Sequence, residues 1–252
     1  MLFPTIDFII FFVVVLVAIT VIKYHKFQFL FLVAASYFFF YFSSNYLLIL
    51  LISSTILDFF VAKAIFGARN SSRKKMLLII TLIGNLGLLG FFKYADFVIF
   101  EFNMLGQIFN LSSEIPFLNL ALPIGISFYT FQTIGYTVDV YRGKLEPCKS
   151  FLEFALFVSF FPQLVAGPII RASNFLPQLR EKITEVGTHY RLRIISIENK
   201  NLKMGMTLMA FGFLKKMFFA DNIAPLVDDI FVNPIGAESF TIILGAIAFG
   251  IQ

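Results

Sequence analysis

The 252 residues include 59% apolar and 14% charged side chains, and the formal net charge is +5. Soluble domains carry about a quarter charged residues, so this composition excludes an ordinary soluble enzyme or binding domain. A single cysteine, Cys148, excludes a disulfide within the chain, and bases confined to short loops argue against a nucleic-acid partner.

Apolar runs alternate with short basic loops from the beginning of the chain, as in a membrane protein. Residues 3–22 provide the roughly 20 apolar positions needed to cross a bilayer, and the bases that follow predict a cytoplasmic end. No basic region precedes this run and no small-residue cleavage site follows it, so we expect no cleavable signal peptide. Residues 27–42 form a shorter apolar run, and residues 46–66 form another full-length span.

The loop 67–75 contains four bases and no acid, which is the clearest cytoplasmic signal in the chain. Residues 76–94 are therefore predicted to cross outward. Residues 95–116 mix acids with apolar side chains and predict an interfacial helix and loop on the outer side. Residues 118–140 are predicted to return, and the bases within residues 142–149 mark the cytoplasm again.

Residues 151–169 do not fit this alternation. If they crossed completely, residues 170–203 would lie outside with seven bases and three acids, although basic loops prefer the cytoplasm. We therefore predict that residues 151–169 are re-entrant and turn back between Pro162 and Pro168. Residues 174–182, which follow, are amphipathic and predict a helix lying on the inner leaflet.

The last third of the chain contains two further apolar runs. Residues 204–220 include Lys215 and Lys216 near one end, and residues 239–252 are too short to cross alone. A membrane protein has little reason to end in mid-helix, so we expect the chain to be truncated at its carboxyl end. Residues 1–252 are interpreted as one transmembrane domain.

Polar side chains recur within the apolar runs of the central part of the chain. Because a polar group facing lipid costs several kcal/mol, such groups normally face a protein interior or a water-filled cavity. Prolines and glycines beside them interrupt the helical pattern, and broken helices at membrane depth normally line a site. The polar positions are Gln132, Tyr136, Asp139, Gln163 and Arg171, and the interrupting positions are Pro123, Gly125, Pro162, Gly167 and Pro168.

Three sets of charged residues each leave two interpretations open. Asp58 is either a carboxyl group satisfied by a neighbouring helix or part of a proton or ion pathway. Asp139 and Arg142 are three residues apart, so they either form a local ion pair or shape the mouth of a cavity. Lys215 and Lys216 either snorkel to the interface or attract an anionic donor or lipid headgroup.

Metal-binding and soluble-enzyme motifs do not occur in the sequence. No cysteine–histidine cluster has ligand spacing, so no metal site is predicted. His25 and His189 lie in boundary and loop segments and are interpreted as interfacial residues. Cys148 is interpreted as a bystander, with reversible acylation as the alternative.

Three longer segments combine proline, glycine and polar positions in a fixed order. They are LPIGISFYTFQTIGYTVDVYRG at 122–143, FALFVSFFPQLVAGPIIRASNFLPQL at 154–179 and GFLKKMFFADNIAPLVDDIF at 212–231. In order and rough spacing they resemble the membrane-bound O-acyltransferase family, most closely its alginate O-acetyltransferase branch. The apolar stretch 36–60 is similar to the amino-terminal spans of that family.

This resemblance implies an all-α, multi-pass helix bundle with a re-entrant segment around a central tunnel, in the cell (inner or plasma) membrane. The donor substrate would be a cytosolic acyl thioester, either acetyl-CoA or an acyl carrier, and no cofactor would remain bound. The acetyl group would pass toward an extracytoplasmic polysaccharide acceptor. An extracytoplasmic acetyltransferase or a polysaccharide-export protein would be the partner, besides the lipid bilayer.

The resemblance also assigns roles to residues. The tunnel would be lined or framed by Gln132, Tyr136, Asp139, Tyr141 and Arg142. The re-entrant part near the donor entrance would contain Gln163, Gly167, Pro168 and Arg171, and Lys215 and Lys216 would act on the donor or headgroup electrostatically.

The family's essential histidine lies in later blocks, one resembling W-R-R-W-H and another containing W-H-G. This chain contains no tryptophan and stops before either block. We therefore expect no catalytic residue within it, and no activity from the 252-residue chain alone. A transporter or channel and a non-catalytic membrane scaffold are the alternative functions.

Overall fold

A computed structural model describes residues 5–44, 47–109, 114–122, 125–164, 167, 169–181, 183–186, 192–195, 197–232 and 238–251. Among these residues, three helices are long and apolar enough to cross a bilayer: His25–Ser44, Leu48–Gly67 and Ser71–Ile108. The predicted helical membrane bundle is confirmed.

The described chain is almost entirely helical. Its elements are α1 (Ile6–Val21), α2 (His25–Ser44), α3 (Leu48–Gly67), α4 (Ser71–Ile108), α5 (Ile126–Tyr141), α6 (Phe151–Ser159), α7 (Phe161–Leu164), α8 (Ala172–Glu181), β1 (Ile183–Val186), β2 (Leu192–Ile195), α9 (Asn199–Leu214), a π-helical segment (Lys215–Ala220), α10 (Asp221–Val232) and α11 (Ser239–Ile251). The two strands form an antiparallel hairpin in which Ile183 pairs with Ile195 and Val186 with Leu192. This hairpin is a small addition to the predicted all-helical class.

Several helix boundaries differ from the sequence-based predictions. The run 27–42 was predicted to be short, but α2 contains 20 residues because the helix also includes the polar residues at both ends. By contrast, α1 contains only 16 residues, fewer than the predicted span 3–22. Helix α5 begins at Ile126 rather than at residue 118, directly after Gly125 in a left-handed conformation.

Helix α4 is much longer than the predicted crossing 76–94. Its 38 residues correspond to about 57 Å of helix, whereas the bilayer core is about 30 Å thick. The prediction of a separate interfacial helix after residue 94 was therefore wrong. Acids such as Asp96 and Glu101 end the apolar pattern, but neither they nor any proline interrupts the helix.

The end of α4 holds the chain that follows it. Asn103 forms two hydrogen bonds with Ile115, since its Nδ2 donates to the Ile115 carbonyl and its Oδ1 accepts from the Ile115 N–H, both at 2.9 Å. The Asp96 carboxylate accepts from the Leu118 N–H at 2.7 Å. These two polar side chains of α4 therefore fix the extended segment to the helix.

The segment 151–169 is a broken helix surrounded by protein. Helix α6 contains nine residues, about 13 Å, and ends at Ser159, because the next residue, Phe160, has a non-helical ψ of 109°. The Phe161 N–H at the break donates to the Ser36 hydroxyl of α2 at 3.3 Å. Seven successive α6 residues, from 153 to 159, are buried. These features suit a re-entrant segment, and its orientation in the bilayer stays a prediction.

The chain forms two compact units. The first contains residues 15–195, and its core is built mainly from aromatic and aliphatic side chains of α2, α3, α5 and α6. The second contains residues 2–14 and 196–252, in which α10 packs on α11 and Gly245 lies against Ile230. The prediction of a single domain over residues 1–252 stays a prediction.

Candidate functional site

Helix α5 presents two polar surfaces within the first unit. Positions three or four residues apart share a helix face, so Thr133 and Thr137 lie on one side. Gln132, Tyr136 and Asp139 form a second row beside it. The two rows are directed to different neighbours, a closed hydrogen-bonded cluster and an open cavity.

The cavity beside α5 has a volume of about 260 Å³. Helix α5 contributes one wall, and the stretch 169–172 before and at the start of α8 contributes another. Five of the residues predicted for a substrate path line it, namely Gln132, Tyr136, Asp139, Arg142 and Arg171. The structure thus brings together polar residues separated by about 40 positions in sequence.

The remaining predicted path residues have other positions. Tyr141, Gln163 and Gly167 are described but do not belong to the lining of this cavity, and Pro168 lies outside the described residues. A continuous tunnel through the bilayer therefore stays a prediction.

Gln132 connects α5 to the broken helix. Its side chain is 8% exposed, and its Nε2 donates to the Phe157 carbonyl of α6 at 2.9 Å. A buried amide that satisfies a main-chain carbonyl fixes the separation of the two helices. Gln132 therefore contributes both to the wall of the cavity and to its shape.

Tyr136 forms the boundary between the cavity and the protein core. Its hydroxyl accepts a hydrogen bond from the Cys148 N–H at 2.9 Å, and its ring lies 4.5 Å from the Phe154 ring centroid. Burial, and then the nearby Glu153 carboxylate, raise the pKa of the Cys148 thiol to about 12. A buried neutral thiol is a poor nucleophile, which favours the interpretation of Cys148 as a bystander.

Charged groups at the cavity have no ion-pair partner within it. Asp139 and Arg142 are both described, and no ion pair joins them, which argues against the first of their two interpretations, a local ion pair. Arg142 follows the last turn of α5, where its N–H donates to the Val138 carbonyl and its side chain is exposed. With Arg171 it gives the cavity two guanidinium groups and one carboxylate. Such a lining can bind an anionic group through charge-assisted hydrogen bonds.

Glycine is required where α5 begins. Gly125 has φ +77°, and a Cβ atom there would lie 2.3 Å from the Leu164 carbonyl oxygen of α7. Just beyond α7, the Gly167 N–H donates to the Gln163 carbonyl at 3.1 Å. The Gln163 Oε1 is buried and has no hydrogen-bond partner within the described part of the chain. The break after α7 therefore leaves a buried acceptor available for a water molecule or a ligand.

The closed cluster is centred on Asp58 of α3, which is fully buried. Its carboxyl group accepts from Thr81 Oγ1 at 2.6 Å, Asn85 Nδ2 at 2.8 Å and Thr137 Oγ1 at 3.1 Å. Ser54 Oγ in turn donates to Asn85 Oδ1 at 2.5 Å. This arrangement favours the first interpretation of Asp58, a carboxyl group satisfied by neighbouring helices.

Only Asp58 of this cluster was identified from the sequence, although the sequence also contains a signal for its hydrogen-bond partners. Polar residues four apart occur in α3 (Ser54 and Asp58) and in α4 (Thr81 and Asn85). Such pairs project from one helix face, and in a membrane helix they indicate hydrogen bonding to another helix.

Lys215 and Lys216 lie in the π-helical segment of the second unit and do not belong to the lining of the cavity. Both are exposed, and the Lys216 ammonium forms an ion pair with Asp221 at 2.6 Å. In the described part of the chain, no group of three or more histidine, cysteine or acidic side chains could hold a metal ion.

The sequence is similar to that of several bacterial O-acetyltransferases. It is 36% identical over 175 residues to "Peptidoglycan O-acetyltransferase" of Helicobacter pylori, a match covering 60% of this chain and 30% of the relative. It is 36% identical over 179 residues to "Probable alginate O-acetylase AlgI" of Pseudomonas aeruginosa, covering 69% and 31%. The protein of the same name from Pseudomonas putida is 36% identical over 172 residues, covering 67% and 32%.

Over about two thirds of its length the chain resembles these proteins, which are members of the membrane-bound O-acyltransferase family. The predicted resemblance is thereby confirmed. The chain spans about a third of the length of these curated relatives. No protein-family model matches it, and no solved structure matches it.

Proposed function

We propose that this chain forms part of an integral-membrane O-acetyltransferase that crosses the cell membrane several times. An acetyl group passes from a cytosolic thioester to a hydroxyl group of a polysaccharide outside the cytoplasm, with an extracytoplasmic acetyltransferase or export protein as partner. The cavity along α5 is the observation that supports this best. Its charged lining lies in a chain 36% identical to proteins named as O-acetyltransferases.

In the proposed reaction the acceptor hydroxyl oxygen bonds to the thioester carbonyl carbon, and the carbon–sulfur bond breaks. The hydroxyl proton passes to a general base, and the departing thiolate takes up a proton to become a thiol. We assign no general base among the described residues. His25 does not line this cavity, and His189 lies outside the described part of the chain.

The cavity residues are assigned to donor binding. Arg142 and Arg171 bind the phosphate or carboxylate groups of an anionic thioester, either acetyl-CoA or an acyl carrier. Gln132 holds α5 at its distance from α6 and so keeps the arginine-bearing wall in place. The negative charge of Asp139 reduces the net positive charge of the cavity. Its electrostatic attraction also orients the two neighbouring guanidinium groups.

The test uses the full-length protein in lipid nanodiscs, with a radiolabelled acetyl thioester and an alginate or peptidoglycan fragment as acceptor. Transfer of label to the glycan is expected, together with release of one thiol per ester formed. Replacing Arg171 by Gln should raise the KM for the donor about tenfold or more, because one charge-assisted hydrogen bond contributes about 1.5–3 kcal/mol.

The matched control is Arg73→Gln, which removes the same charge from the exposed first turn of α4. It should leave the donor KM unchanged. Absence of transfer by the full-length protein contradicts the proposed activity, and equal effects of the two substitutions contradict the assigned donor site. Movement of a labelled solute into sealed vesicles without ester formation would instead indicate a transporter.

A further inference from the structure

A second cavity, of about 210 Å³, lies where α2 and α6 begin. It is lined by His25, Lys26, Phe29, Ser150, Leu152 and Glu153. None of these residues belongs to the predicted substrate path. The cavity also joins two segments, at the start of α2 and in the loop after α5, that loop charge independently predicts to be cytoplasmic.

The charge inside this cavity is positive. Its one acid, Glu153, is already compensated, because the Arg180 Nε lies 2.5 Å from the Glu153 Oε1. That contact also raises the pKa of the Arg180 guanidinium, so Arg180 keeps its positive charge beside Glu153. Lys26 is exposed and has no acidic partner among the described residues. The Lys26 ammonium therefore supplies an uncompensated charge and three hydrogen-bond donors.

Further donors and cations surround the same opening. The Ser150 hydroxyl does not cap α6, although Ser150 occupies the capping position. The Lys63 ammonium donates to the Lys149 carbonyl at 3.2 Å, which places Lys63 beside the residue preceding Ser150. Phe29 is 6% exposed and provides an apolar wall next to these polar groups.

We propose that this cavity binds a phosphate group, carried either by the headgroup of an anionic phospholipid or by a soluble phosphate compound. Lys26 and Ser150 donate hydrogen bonds to the phosphate oxygens, and Phe29 and Leu152 contact the carbon chain attached to it. Basic pockets between membrane helices on the cytoplasmic side bind anionic headgroups in this way. This inference does not depend on the proposed acetyl transfer.

The test measures lipid retention by the purified chain in detergent with native mass spectrometry. Dioleoylphosphatidylglycerol and dioleoylphosphatidylcholine are added separately, and the first should be retained in preference to the second. Replacing Lys26 by Gln should weaken retention of phosphatidylglycerol about tenfold, since one charge-assisted bond is lost. Lys26→Arg should restore most of it. Lys23→Gln removes the same charge three residues earlier, outside the lining, and should have no effect.

Inorganic phosphate provides the second arm, measured as a rise in the midpoint of thermal unfolding that Lys26→Gln abolishes. Selective retention of phosphatidylglycerol supports the lipid as the source, and a phosphate-dependent shift without lipid selectivity supports a soluble source. The proposal is overturned if neither probe responds to Lys26→Gln in a variant whose circular dichroism matches the wild type. It is equally overturned if Lys23→Gln has the same effect.

Discussion

The two polar regions on α5 differ in how completely their groups are satisfied. Around Asp58, hydroxyl and amide donors from two other helices meet one carboxyl group that is fully buried. Around Asp139, two arginines and a carboxylate border an open volume of about 260 Å³ without an ion pair between Asp139 and Arg142. Both regions lie in the same membrane chain and share a helix.

The comparison shows that a polar residue within a membrane helix does not by itself mark a functional site. Groups that satisfy one another hold helices together, because an unsatisfied group in hydrocarbon costs several kcal/mol. Groups that border open space keep hydrogen-bonding capacity for a ligand. Saturation of hydrogen bonds, rather than polarity, separates the two regions.

The largest expected effect is on the reactivity of Cys148, which is buried on the side of Tyr136 that faces away from the cavity. Its thiol pKa is raised from 9.0 to about 12, so at about pH 8 the thiolate fraction should be about a thousandfold lower than in the unfolded chain. Iodoacetamide labelling followed by mass spectrometry should therefore be slow in detergent and fast in denaturant.

The raised pKa of the Cys148 thiol also makes folding stability depend on pH. Below pH 9 the Cys148 thiol is neutral in both the folded and the unfolded chain. The contribution of the buried neutral thiol to folding stability is therefore fully present there. Between pH 9 and about 12 the unfolded chain loses the thiol proton first, and folding stability should fall as pH rises. Rapid labelling of the folded chain at about pH 8 would show that water reaches behind Tyr136.

The second effect tests the closed cluster directly. Asp58→Ala leaves Thr81, Asn85 and Thr137 without their shared acceptor, at a cost of about 1 kcal/mol each in a membrane helix bundle. The free energy of unfolding should fall by about 3 kcal/mol, measured by denaturant titration in micelles. Asp58→Asn keeps the shape and one carbonyl oxygen, so it should lose about half as much. Equal stability of Asp58→Ala and wild type would show that the cluster does not hold the helices.

Much of the fold could be predicted from hydropathy and loop charge. The helices α3 and α5 follow from runs of apolar residues. A turn was predicted between Pro162 and Pro168, whereas α6 already ends at Ser159 and Pro162 lies within α7. The end of α4 could not be predicted in this way, because helix propensity continues beyond the apolar run. Asp96 and Asn103 there find their partners in residues distant in sequence.

The candidate site could be predicted only as a set of residues. The recurrence of polar groups in apolar runs identified Gln132, Tyr136, Asp139 and Arg171, which do line one cavity. Their hydrogen bonds could not be predicted, because Gln132 bonds to a main-chain carbonyl that carries no sequence signal. Asp139 and Arg142 have helix-pair spacing, yet the helix ends between them and each faces the cavity separately.

The third effect tests the turn that leads into the shared helix. Gly125→Ala forces a side chain onto a left-handed residue and a Cβ against the Leu164 carbonyl oxygen. Backbone strain of this kind costs about 1–3 kcal/mol, and we expect a loss of about 2 kcal/mol in the free energy of unfolding. Gly90→Ala in α4 is the control, since no atom lies within 4 Å of its added Cβ. A stability loss no greater than that of the control would contradict the close approach of α5 and α7.

The smallest expected change in the free energy of unfolding separates the cluster from the cavity most clearly. It compares Thr137, which belongs to the cluster, with Arg142, which lines the cavity about one helical turn later. Thr137→Val keeps the shape of the side chain but removes one hydrogen bond to Asp58, so the free energy of unfolding should fall by about 1 kcal/mol. Arg142→Ala removes an exposed charge at the cavity and should change stability by less than about 0.5 kcal/mol.

Donor binding should respond in the opposite way. In the full-length protein, Arg142→Ala should weaken binding of acetyl-CoA about tenfold by calorimetry, while Thr137→Val should leave it unchanged. The reason is that Thr137 directs its hydroxyl toward Asp58, whereas Arg142 borders open space on the other side of the helix. If both substitutions reduced stability and binding in parallel, the cluster and the cavity would form one cooperative unit. The distinction between satisfied and available polar groups would then not hold for this helix.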